Sequence, residues 1–189
     1  APEKALERKI GSGIARSMRS KKTPAFSGIE KLSAAHDLSA FDSGKPPLDE
    51  WLRKYALVNQ KSDGAQTYVV HRALRVLGYY ALAAGSIATP KAGKRTAAGQ
   101  PQKGSVPVIV LARLAVDTEA QGQGIGAALL KDALLRSAQA AETIGARAVL
   151  VHALDADAVS FYQHFGFEAS PVDEMTLMLL MKDIRGNLA

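Results

Sequence analysis

"DTEAQGQGIGAALL", residues 117–130, sets three glycines within five positions and then turns into a helix-like apolar run. Glycine disfavours helix, so Gly122, Gly124 and Gly126 at a helix start imply that something must come very close to the backbone there. Just before them, "VPVIVLARLAVD" (106–117) is a largely apolar run that reads as a strand. Just after, Leu129, Leu130, Leu134, Leu135 and Ala138 form the broad apolar face of a helix packed on a sheet. That helix should run to about residue 144, where Gly145 is well placed to stop it. The stretch is thus a strand-to-helix junction. The first helical turn carries backbone N–H groups without intrahelical partners, and its dipole favours negative charge. Glycines remove the Cβ atoms that would hold a phosphate group away from those donors.

Further out, "FSGIEKLS" (26–33) reads as a short strand and "PPLDEWLRKYALVNQ" (46–60) as one helix, with Pro47 in its first turn. "QTYVVHRA" and "RVLGYYALAAGSIA" read as two strands joined by a very tight turn. Residues 89–105 hold Lys91, Lys94, Arg95 and Lys103 with no acid and read as a long basic loop. "ARAVLVHAL" (146–154) reads as a strand, 155–165 as a short helix capped by Asp155, and "EMTLMLLMKDI" (174–184) as a closing strand. The order β-α-ββ-loop-β-α-β-α-β predicts a mixed α/β sheet in one domain, with no internal repeat.

The 189 residues are enough for one domain of ordinary size with a sizeable core. No apolar run approaches the ~20 residues that a membrane helix needs, and a soluble, cytoplasmic protein is expected. With no cysteine, disulfides, thiolate metal sites and cysteine nucleophiles are excluded. Four scattered histidines suggest no metal site. Of the net charge of +6, residues 1–26 carry +5, so the basicity belongs mostly to the N-terminal tail. Leu6, Ile10, Ile14 and Met18 recur there every four residues, and the chain begins with Ala1. Residues 1–25 are expected to be a mobile arm or a non-native extension, with the folded domain over 26–189.

Three glycine-rich phosphate motifs compete at 117–130. The dinucleotide fingerprint needs G-x-G-x-x-G, one residue longer than the G-x-G-x-G found here. The P-loop needs G-K-[ST], and no such pair follows Gly126. What fits is Q-G-x-G-x-G, which resembles the pyrophosphate loop of the GNAT acetyltransferases. Gln121, Gly122, Gln123, Gly124, Ile125 and Gly126 would form the cradle for acetyl-CoA. In "DAVSFYQHFGF", Ala158, Phe161, Tyr162, Gly166 and Phe167 match in order a second segment common in that family. The resemblance implies a central mixed, largely antiparallel sheet with splayed central strands and flanking helices. It also implies that Phe161 lies beside the pantetheine, that backbone groups near Leu114, Ala115 and Val116 bind it, and that Tyr162 protonates the departing thiolate. A phenol with a pKa near ~10 is protonated at neutral pH and can donate to sulfur as charge builds.

"FDSGKPPLDEWL", "LGYYALAAGS", "PVIVLARLAVD" and "VHALDADAVSFYQHFGF" together resemble the TacT/AtaT-type GNAT toxins of type II toxin–antitoxin modules, over roughly residues 26–182. That implies acetylation of the α-amine of an amino acid charged on tRNA, and a block on translation. It further implies a homodimer, a ribbon-helix-helix antitoxin, and operator DNA bound only through that antitoxin. Arg113, Lys94 and Arg95 are candidate tRNA ligands, and Arg113, in an apolar strand, needs a partner. His152 could line the pantetheine pocket, whereas His36 and His71 read as structural or exposed. From Ser86 to Val116 there is no Asp or Glu, so a general base is not apparent. The alternatives are a GNAT enzyme acting on a protein N-terminus or a small amine, and a non-catalytic CoA-binding regulatory module.

Overall fold

The computed structural model describes residues 25–188. The basic tail anticipated at the N-terminus lies, but for Ala25, outside the described residues. Seven strands form one sheet: β1 (Glu30–Lys31), β2 (Gln66–Arg72), β3 (Arg75–Ala88), β4 (Ser105–Val116), β5 (Ala148–His152), β6 (Glu168–Ser170) and β7 (Asp173–Leu180). Their spatial order is β1-β2-β3-β4-β5-β7-β6. Every neighbouring pair is antiparallel except β4 and β5, which run parallel. The helices are α1 (Pro46–Lys54), α2 (Ala56–Lys61), α3 (Gly93–Ala97), α4 (Ile125–Ile144), α5 (Ala156–His164) and α6 (Met181–Leu188).

The long helix α4 is where the glycine-rich sequence demanded it. Leu129, Leu130 and Ala133 are buried against Val70, Leu77 and Tyr80 of the sheet. Gly145, at φ +72°, ends the helix while its N–H still reaches the Ala141 carbonyl. On the other sheet face, Leu52 of α1 and Ala56 of α2 pack on Val69, Val76 and Tyr79. Ile87, Val108 and Leu150 form a smaller cluster there. The β2–β3 hairpin turns through Ala73 (φ 49°) and Leu74 (φ 69°), where Asn-Gly would be the easy choice.

Four expectations need correction. The helix expected over 46–60 breaks at Tyr55 (φ −118°) into α1 and α2. The strand expected over 26–33 is only two residues long. The basic segment after β3 is a 3-10 turn (Thr89–Lys91) followed by α3, pinned where the Arg147 guanidinium donates to the carbonyls of Arg95, Thr96 and Ala98. The closing apolar run becomes β7 and then α6, because an unbroken buried run has no period to tell strand from helix. β6, three residues long, was too short to show a pattern.

Candidate active site

β4 and β5 make a fork. Their pairing runs from Val108↔Ala148 to Leu111↔Val151 and stops, while β4 continues to Val116 beside β3. The cause is local. Leu82 faces Leu111 but Ala81 faces Arg113, so Ala112 is one extra residue on β4, a bulge. A bulge bends its strand and increases the twist, here carrying β4 away from β5 just after the last pair. It also shifts the side-chain phase. Ile109 and Leu111 lie on the α4 face, and after the bulge Leu114 and Val116 take that face while Ala115 joins the α1 cluster. The expected splay is therefore present.

The fork opens into a cavity of about 410 Å³ lined by Leu114, Ala115, Val116, Gln121, Gly126, Ala158, Phe161 and Tyr162. The glycine loop closes one end. Gly122 (φ +74°) and Gly124 (φ +79°) hold left-handed backbone, with no atom within 4 Å of a Cβ at either position, so a ligand can come against the chain. At Gly126, a Cβ would meet Phe161 Cε2 at 3.7 Å and Val116 Cγ2 at 3.8 Å, inside the cavity wall. Gln121 acts as a brace: its amide donates to the Val116 carbonyl (2.9 Å) and the Ser43 carbonyl (3.1 Å). The Gln123 amide caps the Glu119 carbonyl, and Ile125 buries its side chain, so from Ile125 only backbone remains for a ligand. Asp117, 1 % exposed, holds the loop by accepting the N–H groups of Asp42 and Glu119.

Tyr162 sits on α5, whose N-terminus is capped by Asp155 accepting from the Ala158 N–H. Its ring packs edge-on to Phe161 and against Phe167. Burial pushes the phenol pKa up, so the group is a proton donor throughout the physiological range. Across the cavity, Lys45 at the start of α1 reaches Asp155 at 2.5 Å. That pair ties two segments far apart in sequence, a contact that no local pattern around either residue announces.

Arg113 leaves β4 on the α1 side, its guanidinium 5.4 Å from the Trp51 ring centre and donating to the Ala112 carbonyl. Among the described residues no carboxylate pairs with it. The partner that an apolar strand demanded is thus an aromatic face. Lys94 is exposed. Arg95 is a correction: its guanidinium is taken by Glu168 and Asp183, so it is not the free phosphate ligand the sequence suggested. Both belong to the connection that enters β4 at Ser105, whereas the glycine loop follows its far end at Val116.

His152 does not line the fork cavity. It faces a second cavity of about 520 Å³ on the other side of the sheet. His36 and His71 meet Glu30, a cluster that their sequence spacing did not reveal, with ligand atoms within 4.8 Å of one another. Each histidine accepts a backbone N–H at Nδ1, from Ser33 (3.0 Å) and Leu74 (3.2 Å). That fixes the neutral ring proton on Nε2, which donates to Glu30 Oε1 from both rings. A metal at Nε2 would need that proton on Nδ1, facing another N–H. The cluster is built as a hydrogen-bonded latch between β1, the following turn and β2.

Residues 63–169 match the acetyltransferase (GNAT) domain family. The chain is 51 % identical over 160 residues to a tRNA-acetylating toxin of Mycobacterium tuberculosis, covering 85 % of this chain and 95 % of that one. AtaT complexed with acetyl-methionyl-tRNAfMet superposes with a TM-score of 0.79 at 27 % identity, covering 87 % of this chain and 100 % of that one. A tyrosine-to-phenylalanine mutant of AtaT, bound to the C-terminus of the antitoxin AtaR and to acetyl-CoA, gives 0.74 at 27 % identity over 87 % and 98 % of the two chains. With its residues 63–169 matched by the acetyltransferase (GNAT) domain and a relative 51 % identical over most of both chains, the chain belongs to the GNAT acetyltransferase family.

Proposed function

We propose that this acetyltransferase is a toxin that uses acetyl-CoA to acetylate the α-amine of an amino acid carried on tRNA, and so blocks translation. The observation that carries the reading is the Ala112 bulge with the fork behind it, which opens β4 backbone into a cavity that also holds the phenol. The residues present fit the co-substrate. Gly122 and Gly124 leave backbone N–H groups open for a pyrophosphate, and the walls of Leu114, Ala158 and Phe161 suit an apolar pantetheine arm. When bound, acetyl-CoA supplies the activated acetyl group.

In this reading Tyr162 gives its proton to the departing sulfur, a role supported by its burial and raised pKa. A backbone N–H near Leu114 stabilises the negative oxygen. Arg113 and Lys94, uncompensated by carboxylates among the described residues, contact tRNA phosphates. The mycobacterial relative, named for tRNA acetylation, and AtaT bound to its acetylated tRNA support the acceptor. AtaT bound to AtaR supports an antitoxin partner for this chain, and we assign that partner to the ribbon-helix-helix class, with a dimeric toxin and operator DNA bound only through the antitoxin. Among the described residues no helix is long and apolar enough to cross a membrane, in keeping with a cytoplasmic site of action. The catalytic domain is taken as residues 26–189.

The test is acetyl transfer from labelled acetyl-CoA onto a mixture of charged tRNAs, comparing wild type with Tyr162→Phe. Label on charged tRNA that disappears in the variant supports the reading. No label on any tRNA, with acetyl-CoA binding intact, refutes the acceptor and moves it to protein N-termini or small amines.

A further inference from the structure

The fork has two sides, and Tyr162 lies on one. Tyr162 packs with Val149, Val151 and Leu177 on the α4 face of the sheet. Leu150, between Val149 and Val151, faces the opposite side with Val108 and Met178. The cavity of about 520 Å³ is on that opposite side, with Val110, Leu150 and His152 along its floor. His152 is the residue just beyond the last β4–β5 pair, Leu111↔Val151, so it stands at the apex of the fork. With an acetyl thioester held in the fork, an amine entering this cavity would meet it from the face opposite Tyr162. Gly85 keeps this floor flat: a Cβ there would lie 2.6 Å from Val110 Cγ2.

His152 is held in one tautomer by its partners. Thr176, paired with it across β5 and β7, places its hydroxyl 2.6 Å from Asp173 Oδ2 and 2.9 Å from His152 Nδ1. A carboxylate only accepts, so the Thr176 hydroxyl proton goes to Asp173 and the Thr176 oxygen must accept from Nδ1–H. The Asp173 carboxyl is held ionised, its pKa lowered first by the Thr176 hydroxyl and then by the Met175 N–H. In the neutral ring, Nε2 of His152 then carries no proton, and among the described residues it has no hydrogen-bond partner.

We propose that His152 is the general base of the acetyl transfer, and that Thr176 and Asp173 are positioning residues that present its bare Nε2 to the acceptor amine. This rests on the reading of the chain as an aminoacyl-tRNA acetyltransferase, and it supplies the base that the Ser86–Val116 segment lacks. The amine nitrogen bonds to the acetyl carbon as the carbon–sulfur bond breaks. The surplus proton on nitrogen passes to His152 Nε2, and the sulfur takes the Tyr162 proton. Solvent then takes the proton from His152 and returns one to Tyr162. The charged groups facing His152 are Asp173 on β7 and Lys91 before α3.

The experiment compares wild type with His152→Gln, Thr176→Val and Thr176→Ser, using charged tRNA and acetyl-CoA. His152→Gln should lose about 100-fold or more in kcat. It should bind acetyl-CoA as wild type does. Thr176→Val should fall between the two, and Thr176→Ser, which keeps the hydroxyl, should restore the rate. In a proton–nitrogen correlation spectrum of the ligand-free protein, neutral His152 should carry its proton on Nδ1, and on Nε2 in Thr176→Val. An unchanged kcat in His152→Gln, or an Nε2–H tautomer in wild type, overturns the proposal. If wild type labels no charged tRNA, the acceptor assignment fails instead; the spectrum still reads the relay, and the loss in His152→Gln is measured on whichever amine wild type does acetylate.

Discussion

Gly126→Ala should make the protein more stable and a poorer binder of acetyl-CoA. Gly126 lies in the first turn of α4 and, unlike Gly122 and Gly124, does not hold a positive φ. A methyl group there meets only ordinary contacts, 3.7 Å to Phe161 Cε2 and 3.8 Å to Val116 Cγ2. Replacing glycine by alanine in a helix gains ~0.4–1 kcal/mol, through helix propensity and lost freedom of the unfolded chain. For a chain of this size that is a rise in Tm of about 1–4 °C. The same methyl projects into the wall of the fork cavity beside the glycine loop. Displacing one charge-assisted hydrogen bond to a phosphate costs ~1.5–3 kcal/mol, or roughly 10- to 150-fold in Kd. Gly124→Ala is the control with the opposite sign. Its φ of +79° makes any Cβ strained, so it should destabilise by ~1–2 kcal/mol with no clash to relieve. Thermal unfolding of the free proteins and calorimetric titration with CoA read both effects. A Gly126→Ala variant that is stabilised yet binds CoA with unchanged affinity would refute the cradle. A destabilised one would refute the geometry of the helix start.

Three further outcomes are expected. Tyr162→Phe should lower kcat by about 100-fold or more while leaving CoA affinity unchanged, and a matching loss of affinity would reassign the residue to binding. Tyr79, Tyr80 and Tyr162 all have pKa values raised, first by burial, so the folded state keeps protons that the unfolded chain releases above pH ~10. Stability should be flat in these groups below that pH and fall above it by ~1.4 kcal/mol per pH unit for each, measured by urea unfolding between pH 9 and 11. Arg113→Gln should weaken binding of charged tRNA and lower its salt dependence by about one ion, whereas Arg95→Gln, whose charge is already paired with Glu168 and Asp183, should leave that slope unchanged. Equal slopes in the two variants would remove Arg113 from the tRNA surface.

Residues 117–130 determined a great deal by themselves. Three glycines at a strand-to-helix junction specify the loop, because left-handed backbone and missing Cβ atoms are local properties of the chain. The length of α4 and its stop at Gly145 were legible for the same reason, as was the cap of α5 by Asp155. Whatever depends on pairing between distant segments was not. The Ala112 bulge exists only because β3 offers Ala81 and Leu82 as successive partners for Arg113 and Leu111, and no pattern within β4 announces it. Lys45 meets Asp155, Arg95 meets Glu168 and Asp183, and His36 and His71 share Glu30, all through contacts that the strand order creates. His152 could be assigned to the wrong cavity because the sequence gives its strand but not its face at the fork. Its hydrogen bond to Thr176 follows from the β5–β7 register. Local sequence sets backbone conformation and capping; the tertiary fold decides which side chains become neighbours, and so which charges are spent and which remain for a ligand.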